Sequence, residues 1–208
     1  MTTATQPPLV EEFAPVICAG EKVLEAKALL YEIGTTEMRW PKDEVAAMLD
    51  RTDSKFVGVT TGGILIGAGQ ILSSRPLPVE EFALGCIKDG KKPVEVSLVG
   101  LNREYRRQAL GGDMSAFDAL IKAVYWGCRQ FDFTDIWALF EDTRIFVFND
   151  IAQIPVEKKS DGKHYWCSRV VHSDDCPLTW SCRMNRAAGE ASWAANRPKF
   201  YRYVMAGL

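Results

Sequence analysis

The sequence predicts an α/β fold of the α+β kind, in which helices flank one mixed central β-sheet. Three observations carry that expectation. Short β-rich runs alternate with segments of helical periodicity, the pattern of helices packed on a mixed sheet. Two β-rich runs flank Gly62-Gly63, a hairpin signature. A strand candidate passes through a turn of small residues straight into a helix with one apolar face.

Each element follows from its residues. "APVICAG" (14–20) is a short strand candidate. Val23, Ala26, Leu30 and Ile33 recur at helical spacing and predict a helix over 21–33. "WPKDEVAAMLD" (40–50) opens a second helix. Pro41 suits its first position, and Asp43 and Glu44 suit the positive end of its dipole. "KFVGVTTGGILIGAGQIL" (55–72) is the hairpin. Residues 73–93 form a long connection with Pro76, Pro78 and Pro93, and loops of that length tend to be functional or mobile.

"VEVSLVGL" (94–101) is a strand. Beyond the turn, Met114, Phe117, Ile121, Val124 and Cys128 alternate spacings of three and four, which gives a helix one apolar side. "DIWALF" (135–140) is a further strand, a short helix is expected around Thr143 to Asn149, and "HYWCSRVV" (164–171) reads as a strand. After Pro177 no element is assigned. Residues 1–12 read as a mobile tail and 13–208 as one domain.

Composition narrows the function classes. A formal net charge of -2 argues against general nucleic-acid binding, which needs a basic surface excess. No apolar run is long enough to span a membrane. "MTTATQPPLVEE" lacks the basic start and apolar core of a secretory signal, so the expected location is the cytoplasm, with the six cysteines reduced. His164, Cys167, His172, Cys176 and Cys182 are potential zinc ligands, but their spacing lacks the paired knuckles of zinc motifs, and no metal is expected.

The stretch "NREYRRQALGGDMSAF" (102–117) carries the chemistry. The N–H groups of a tight turn and of a helix start both point at an anion. Gly111 and Gly112 leave room for it, and Arg106 or Arg107 adds charge-assisted bonds. The bland alternative is a solvated arginine pair beside a helix start.

The same stretch resembles the acyl-donor motif of the GNAT superfamily of N-acyltransferases: Arg or Gln, two residues, Gly, any residue, then Gly or Ala. Here Arg106, Ala109 and Gly111 take those places, with alanine replacing the first glycine. The resemblance implies a splayed sheet and a donor that is a coenzyme A or acyl-carrier-protein thioester, with no permanently bound cofactor. It implies that Leu98, Val99 and Leu101 pair with the pantetheine arm. The donor's phosphates would sit on Arg106, Arg107, Gln108, Ala109, Leu110, Gly111 and Gly112.

Further segments resemble the branch of acyl-homoserine-lactone synthases and N-acyl amino acid synthases. "LLYEIGTTEMRW" keeps that branch's tryptophan as Trp40, with Leu30 and Gly34 at its arginine and phenylalanine positions. "DRTD" supplies Asp50 and Asp53, and "VEVSLVGL" supplies Glu95 and Ser97. Gln70 and Leu98 stand where arginines are usual. Trp40, Asp50, Asp53 and Phe148 are the substrate-binding candidates.

The implied function is acyl transfer to the amine of a small molecule. The replaced positions favour an acceptor other than S-adenosylmethionine. Autoinducer synthesis and a fold that binds donor without turnover are the alternatives. Glu95 and Ser97 are the catalytic candidates, Glu95 as base, against the plain reading of an exposed strand glutamate. A backbone N–H near Val99 would hold the oxyanion. Phe148 stands where many members protonate the thiolate with tyrosine. Trp126, Phe146 and Phe148 line an apolar tunnel or are simple core. Replacing Arg106 and Arg107 together by alanine is expected to weaken donor binding by about 1.5–3 kcal/mol per charge-assisted bond lost. Calorimetry with coenzyme A thioesters measures this, and unchanged affinity removes the phosphate role.

Overall fold

The computed structural model describes residues 13–88, 91–106, 114–164 and 178–208. In chain order these form β1 (Ala14–Ile17), α1 (Glu21–Glu32) running into a π-helical turn (Ile33–Glu37), α2 (Lys42–Leu49), β2 (Lys55–Thr61), β3 (Ile64–Leu72), α3 (Pro78–Phe82) and β4 (Pro93–Leu101). A 3-10 turn (Arg103–Tyr105) precedes α4 (Ala116–Arg129) and β5 (Asp135–Glu141). Then come α5 (Asp142–Phe146) with a second π-helical turn (Val147–Ile151), β6 (Glu157–Lys158), β7 (Thr179–Asn185), α6 (Arg186–Asn196) and α7 (Pro198–Met205).

The described strands make one sheet in the order β1-β2-β3-β4-β5-β7-β6. The neighbours β4 and β5 run parallel, and the other pairs are antiparallel. The expected hairpin is β2–β3. Gly62 and Gly63 both take positive φ, 54° and 83°, which a two-residue turn of this hand requires and side chains resist.

α4 is the axis of the larger core. Ser115 caps it: its Oγ accepts from the Asp118 N–H at 3.1 Å, while an Asp118 carboxylate oxygen accepts from the Ser115 N–H at 3.1 Å. Ile121, Val124 and Cys128 face the sheet, where Val57, Ile71 and Val96 meet them. α6 and α7 close this layer with Trp193 and Phe200. α1 and α2 cover the opposite face through Leu30, Val45 and Leu49. α3 caps a third cluster of Leu72, Leu77, Val79 and Trp137. Among the described residues no helix is long and apolar enough to cross a membrane.

Two sequence expectations change. The connection 73–93 contains a helix, α3: Pro78 occupies its first turn, and Glu80 accepts from the Leu77 N–H at 3.0 Å. The stretch after Pro177, left unassigned, supplies β7, α6 and α7. Asn185 starts α6 by accepting from the Ala188 N–H at 3.1 Å, and Pro198 opens α7. The strand expected at 164–171 lies outside the described residues apart from His164. The described cysteines, Cys18, Cys86, Cys128 and Cys182, are free thiols. Among the described residues no group of three or more potential metal ligands converges. Cys167, His172 and Cys176 lie outside them.

α4 lies close on the sheet because Gly127 has no side chain. A Cβ there would stand 2.4 Å from Ile71 Cδ1 and 2.5 Å from Val57 Cγ1. Gly127→Val is expected to destabilise the fold by about 1–3 kcal/mol through overpacking, since valine's helix propensity returns only a few tenths of that. Urea unfolding should show a lowered midpoint at unchanged slope.

Candidate active site

The site starts where two strands separate. β4 and β5 pair through Pro93–Asp135, Val94–Ile136 and Glu95–Trp137 and then diverge. The register of β3 against β4 skips at the same place: Gln70 lies opposite Leu98 and Ile71 opposite Val96, leaving Ser97 as an extra residue. Such a bulge bends its strand and re-aims its side chains. The Ser97 hydroxyl is buried with no hydrogen-bond partner. Past it the β4 edge facing β5 is unpaired, and its amides and carbonyls call for a partner. Val99, on this stretch, is 36% exposed.

A cavity of about 440 Å³ fills the gap. Its walls are Val96–Leu101 of β4, Leu139–Glu141 of β5, residues of both π-helical turns, Trp40 and Arg106. A smaller chamber of about 50 Å³ adjoins it beneath α4 and α6, and Val96, Val99, Phe140 and Phe148 border both. Val124, Ile136, Met184 and Trp193 line this chamber. The Phe148 ring stacks on Phe140 at 4.7 Å and meets the edge of Phe117 at 6.4 Å.

The two sides of the cavity differ chemically. Phe140 belongs to the α4 side, where the walls are mainly hydrocarbon. Leu98 and Leu139 belong to the opposite side, roofed by α1, α2 and α3. There Glu37, Met38, Trp40, Glu141 and Arg144 collect.

Of the residues singled out in the sequence, Trp40, Ser97, Leu98, Val99, Leu101, Arg106 and Phe148 line the cavity together. Arg106 already has partners: its Nε donates to the Leu101 carbonyl at 2.7 Å and its Nη2 pairs with Glu37 at 2.6 Å. Arg107, Gln108, Ala109, Leu110, Gly111 and Gly112 lie outside the described residues.

Glu95 is 1% exposed and is not on the cavity wall. It sits at the vertex, turned toward α3, and its Oε2 accepts from the Val79 N–H at 2.9 Å. Burial pushes its carboxyl up to about 8, against the opposing pull of that N–H and of Arg51. Asp50 is exposed and pairs with Lys27 at 2.9 Å. Asp53 forms a two-pronged pair with Arg51 at 3.0 and 3.1 Å, which holds its carboxyl below the usual range. Arg51 in turn donates to the Ser74 and Pro76 carbonyls at 3.3 and 3.4 Å, so the pair fastens the connection before α3. Neither aspartate lines the cavity.

Gln70, fully buried, donates to the Met48 carbonyl at 2.6 Å and to Ser54 Oγ at 2.7 Å. Phe146 is 58% exposed, and Trp126 packs under α7 with its indole N–H on the Val204 carbonyl at 2.8 Å. Neither lines the cavity. Sequence reading missed Glu37, Glu141 and Arg144. Each appears there only as a polar residue flanking an apolar run, and the signal that selects them, the divergence of β5 from β4, is not local.

No protein-family model matches the sequence, and no curated protein matches it. Solved structures do. The chain is similar to FeeM, an N-acyl amino acid synthase from uncultured soil microbes, at 12% identity over 88% of this chain and 95% of that one, with a TM-score of 0.64. It is similar to BjaI, a coenzyme A-dependent acyl-homoserine lactone synthase described with SAM and isopentyl-CoA, at 16% identity over 87% and 89%, TM-score 0.60. An IAA acetyltransferase from Bacillus cereus aligns at 11% identity over 84% and 99%, TM-score 0.55. The chain has the mixed, splayed-sheet fold of these GNAT-type proteins.

The Glu95 environment has a stability consequence. Its carboxyl binds a proton more tightly folded, at about 8, than at its ordinary value of 4.5. The stabilisation is complete below the unfolded value and is lost as pH rises through the folded one. Wild type should therefore lose stability relative to Glu95→Gln as pH rises from 4.5 to 8, and no further above 8. Denaturant titrations of both proteins at several pH values measure the difference. A pH-independent gap would mean that Glu95 is ionised in the fold.

Proposed function

We propose that this chain is an N-acyltransferase of the GNAT type, moving an acyl group from a coenzyme A or acyl-carrier-protein thioester to the amine of a small molecule. The observation that supports it most is the open β4 edge beside a bulge, facing an elongated cavity between diverging strands. An amide-containing pantetheine arm is the ligand that such an edge suits, because it pairs as an added strand would. Its phosphates would then emerge past Leu101, toward Arg106. Arg106 would offer phosphate the N–H groups that its bonds to Leu101 and Glu37 leave over.

Ser97 supports the chemistry directly. Its hydroxyl, buried and unpartnered on the cavity wall, is suited to donate to the thioester oxygen as that oxygen gains charge, beside the backbone N–H of Val99. A donor already desolvated and fixed needs little reorganisation. Glu95 would act from the vertex only through a water, since it is off the wall. Asp50 and Asp53 would serve the scaffold, with Trp40 left as the aromatic contact for the acceptor. Gln70 is engaged by α2 and carries no charge for an acceptor carboxylate, which favours an amine other than S-adenosylmethionine.

The small apolar chamber supports an acyl group longer than acetyl. It adjoins the wall where the thioester would lie and offers a hydrocarbon tail mostly hydrocarbon neighbours. The names of FeeM and BjaI, an N-acyl amino acid synthase and a synthase described with isopentyl-CoA, agree with such a donor.

The test is binding and turnover across a series of straight-chain acyl-coenzyme A donors, with thiol release measured against a panel of primary amines and products weighed by mass spectrometry. Micromolar binding with amide products is expected, and absence of both overturns the reading. Within that series, Gly189→Leu probes the chamber: Gly189 lines it, and a Cβ there meets no atom within 4 Å. The variant is expected to lose at least about tenfold in kcat/KM on the longest chains accepted, about 1.4 kcal/mol, while acetyl-coenzyme A is unaffected. Equal losses on all donors would place the acyl tail elsewhere.

A further inference from the structure

The charged side chains on the wall of the larger cavity, among the described residues, are Glu37, Arg106, Glu141 and Arg144. Glu37 and Arg106 are paired with each other at 2.6 Å. Arg144 donates to Met38 Sδ at 3.3 Å, across the cavity mouth. Glu141 is different: among the described residues it makes no side-chain hydrogen bond or ion pair. It is the last residue of β5 and precedes α5, yet its carboxylate does not cap that helix. By strand alternation it shares the face of Leu139 and Trp137, the side roofed by α1, α2 and α3, away from the hydrocarbon chamber.

An unpartnered carboxylate on a half-buried cavity wall has lost solvation without gaining a protein donor. Carboxylates in that condition mostly find partners. Here the partner is missing on the side of the gap opposite Ser97 and Val99, where a nucleophile would approach a thioester lying along β4. Glu95 does not reach this wall, and Phe148 has no proton to give or take.

We propose that Glu141 is a catalytic residue, the proton acceptor for the attacking amine. This rests on the acyl-transfer reading. The nitrogen lone pair of a neutral primary amine attacks the thioester carbonyl carbon, and a nitrogen proton passes to a Glu141 carboxylate oxygen. That attack forms the C–N bond, and the tetrahedral adduct then collapses, restoring the C=O bond and breaking the C–S bond. Glu141 returns its proton to the departing thiolate, so the products are the amide and the free thiol, and the carboxylate is restored.

The surroundings of Glu141 suit that duty. Burial raises its carboxyl above the ordinary carboxylate range, and Arg144 on α5 restrains the rise. Across the cavity, β4 presents Ser97, Val99 and Leu101, none of them charged. The turn after α1 presents Glu37, neutralised by Arg106. On its other flank β7 opposes Glu141 with Thr179. Arg144 is thus the one charge facing Glu141 from these elements without a carboxylate partner of its own.

The experiment uses the whole chain, octanoyl-coenzyme A as donor and n-butylamine as a small acceptor probe. Glu141→Gln is expected to cut kcat by about 10²–10⁴-fold, while calorimetric affinity for octanoyl-coenzyme A stays within about twofold. The acid limb of log kcat/KM should also change. In wild type both the amine and the carboxylate must lose a proton, and in the variant only the amine must, so the limiting slope drops from two to one. Glu141→Asp should recover part of the rate and restore the steeper limb. Thermal unfolding of both variants checks that the fold is intact. Glu141→Gln with wild-type turnover or an unchanged limb overturns this inference alone, as does a wild type that binds donor but never acylates the amine. A wild type that binds and turns over no donor of the acyl-coenzyme A series removes the acyl-transfer reading and this inference together.

Discussion

The separation of β4 from β5 after the Glu95–Trp137 pair is the constraint on which the rest of the molecule depends. A parallel pair that continued to Leu101 and Glu141 would close the cavity and bury every β4 amide in a ladder. The bulge at Ser97 bends β4 at the point of divergence, and the Phe148 ring packs between Phe140 of β5 and Phe117 of α4 beside the opening. Separation leaves strand edges of both β4 and β5 unsatisfied inside the molecule, which folding permits only where water or a ligand completes them. The larger core is arranged around this opening: α4, set close by Gly127, supports β4 from below, and β7 supports β5 from outside.

Two helical irregularities face each other across the gap. α1 ends in a π-helical turn in which the Met38 N–H donates to the Ile33 carbonyl at 3.0 Å, and α5 continues into another in which the Ala152 N–H donates to the Val147 carbonyl at 2.9 Å. Wider turns of this kind are uncommon and cluster at functional sites. Here they aim Gly34 and Glu37 from one side, and Val147, Phe148 and Ile151 from the other, into the same space. Glu37 and the Phe148 ring owe their positions to these turns.

Much of the fold was legible because its signals are local. The Gly62-Gly63 turn, the apolar spacing from Met114 to Cys128, and the β-rich run ending at Leu101 each state their structure within a few residues. α3 was hidden because Pro76, Pro78 and Pro93 read as loop punctuation, although Pro78 starts a helix. β7 was hidden because Thr179–Asn185 has no dominant apolar alternation: it is a polar-rich strand made stable by pairing with β5 and β6. At the site, sequence reading found the β4 residues and Trp40. It could not decide which carboxylate reaches the cavity. Glu95 and Glu141 both sit on strands among apolar residues. One meets Val79 in the interior and the other the cavity, because α3 covers the vertex and stops short of the mouth.

The same separation gives the sheet two inner edges, along β4 and β5, besides its outer two. The outer two are blunt: β1 has four residues and β6 has two, too short to template another chain securely. The inner edge along β4, which runs to Leu101 beyond the vertex, is the longer of the inner pair, and it would be the hazardous one on a surface. It lies inside a slot walled by β5, two helical turns and Trp40, which a narrow, flexible ligand can enter end-on but a strand backed by its own sheet cannot. The molecule therefore keeps its stickiest backbone available to small partners while hiding it from copies of itself, and crowding alone should not drive it toward edge-to-edge aggregation.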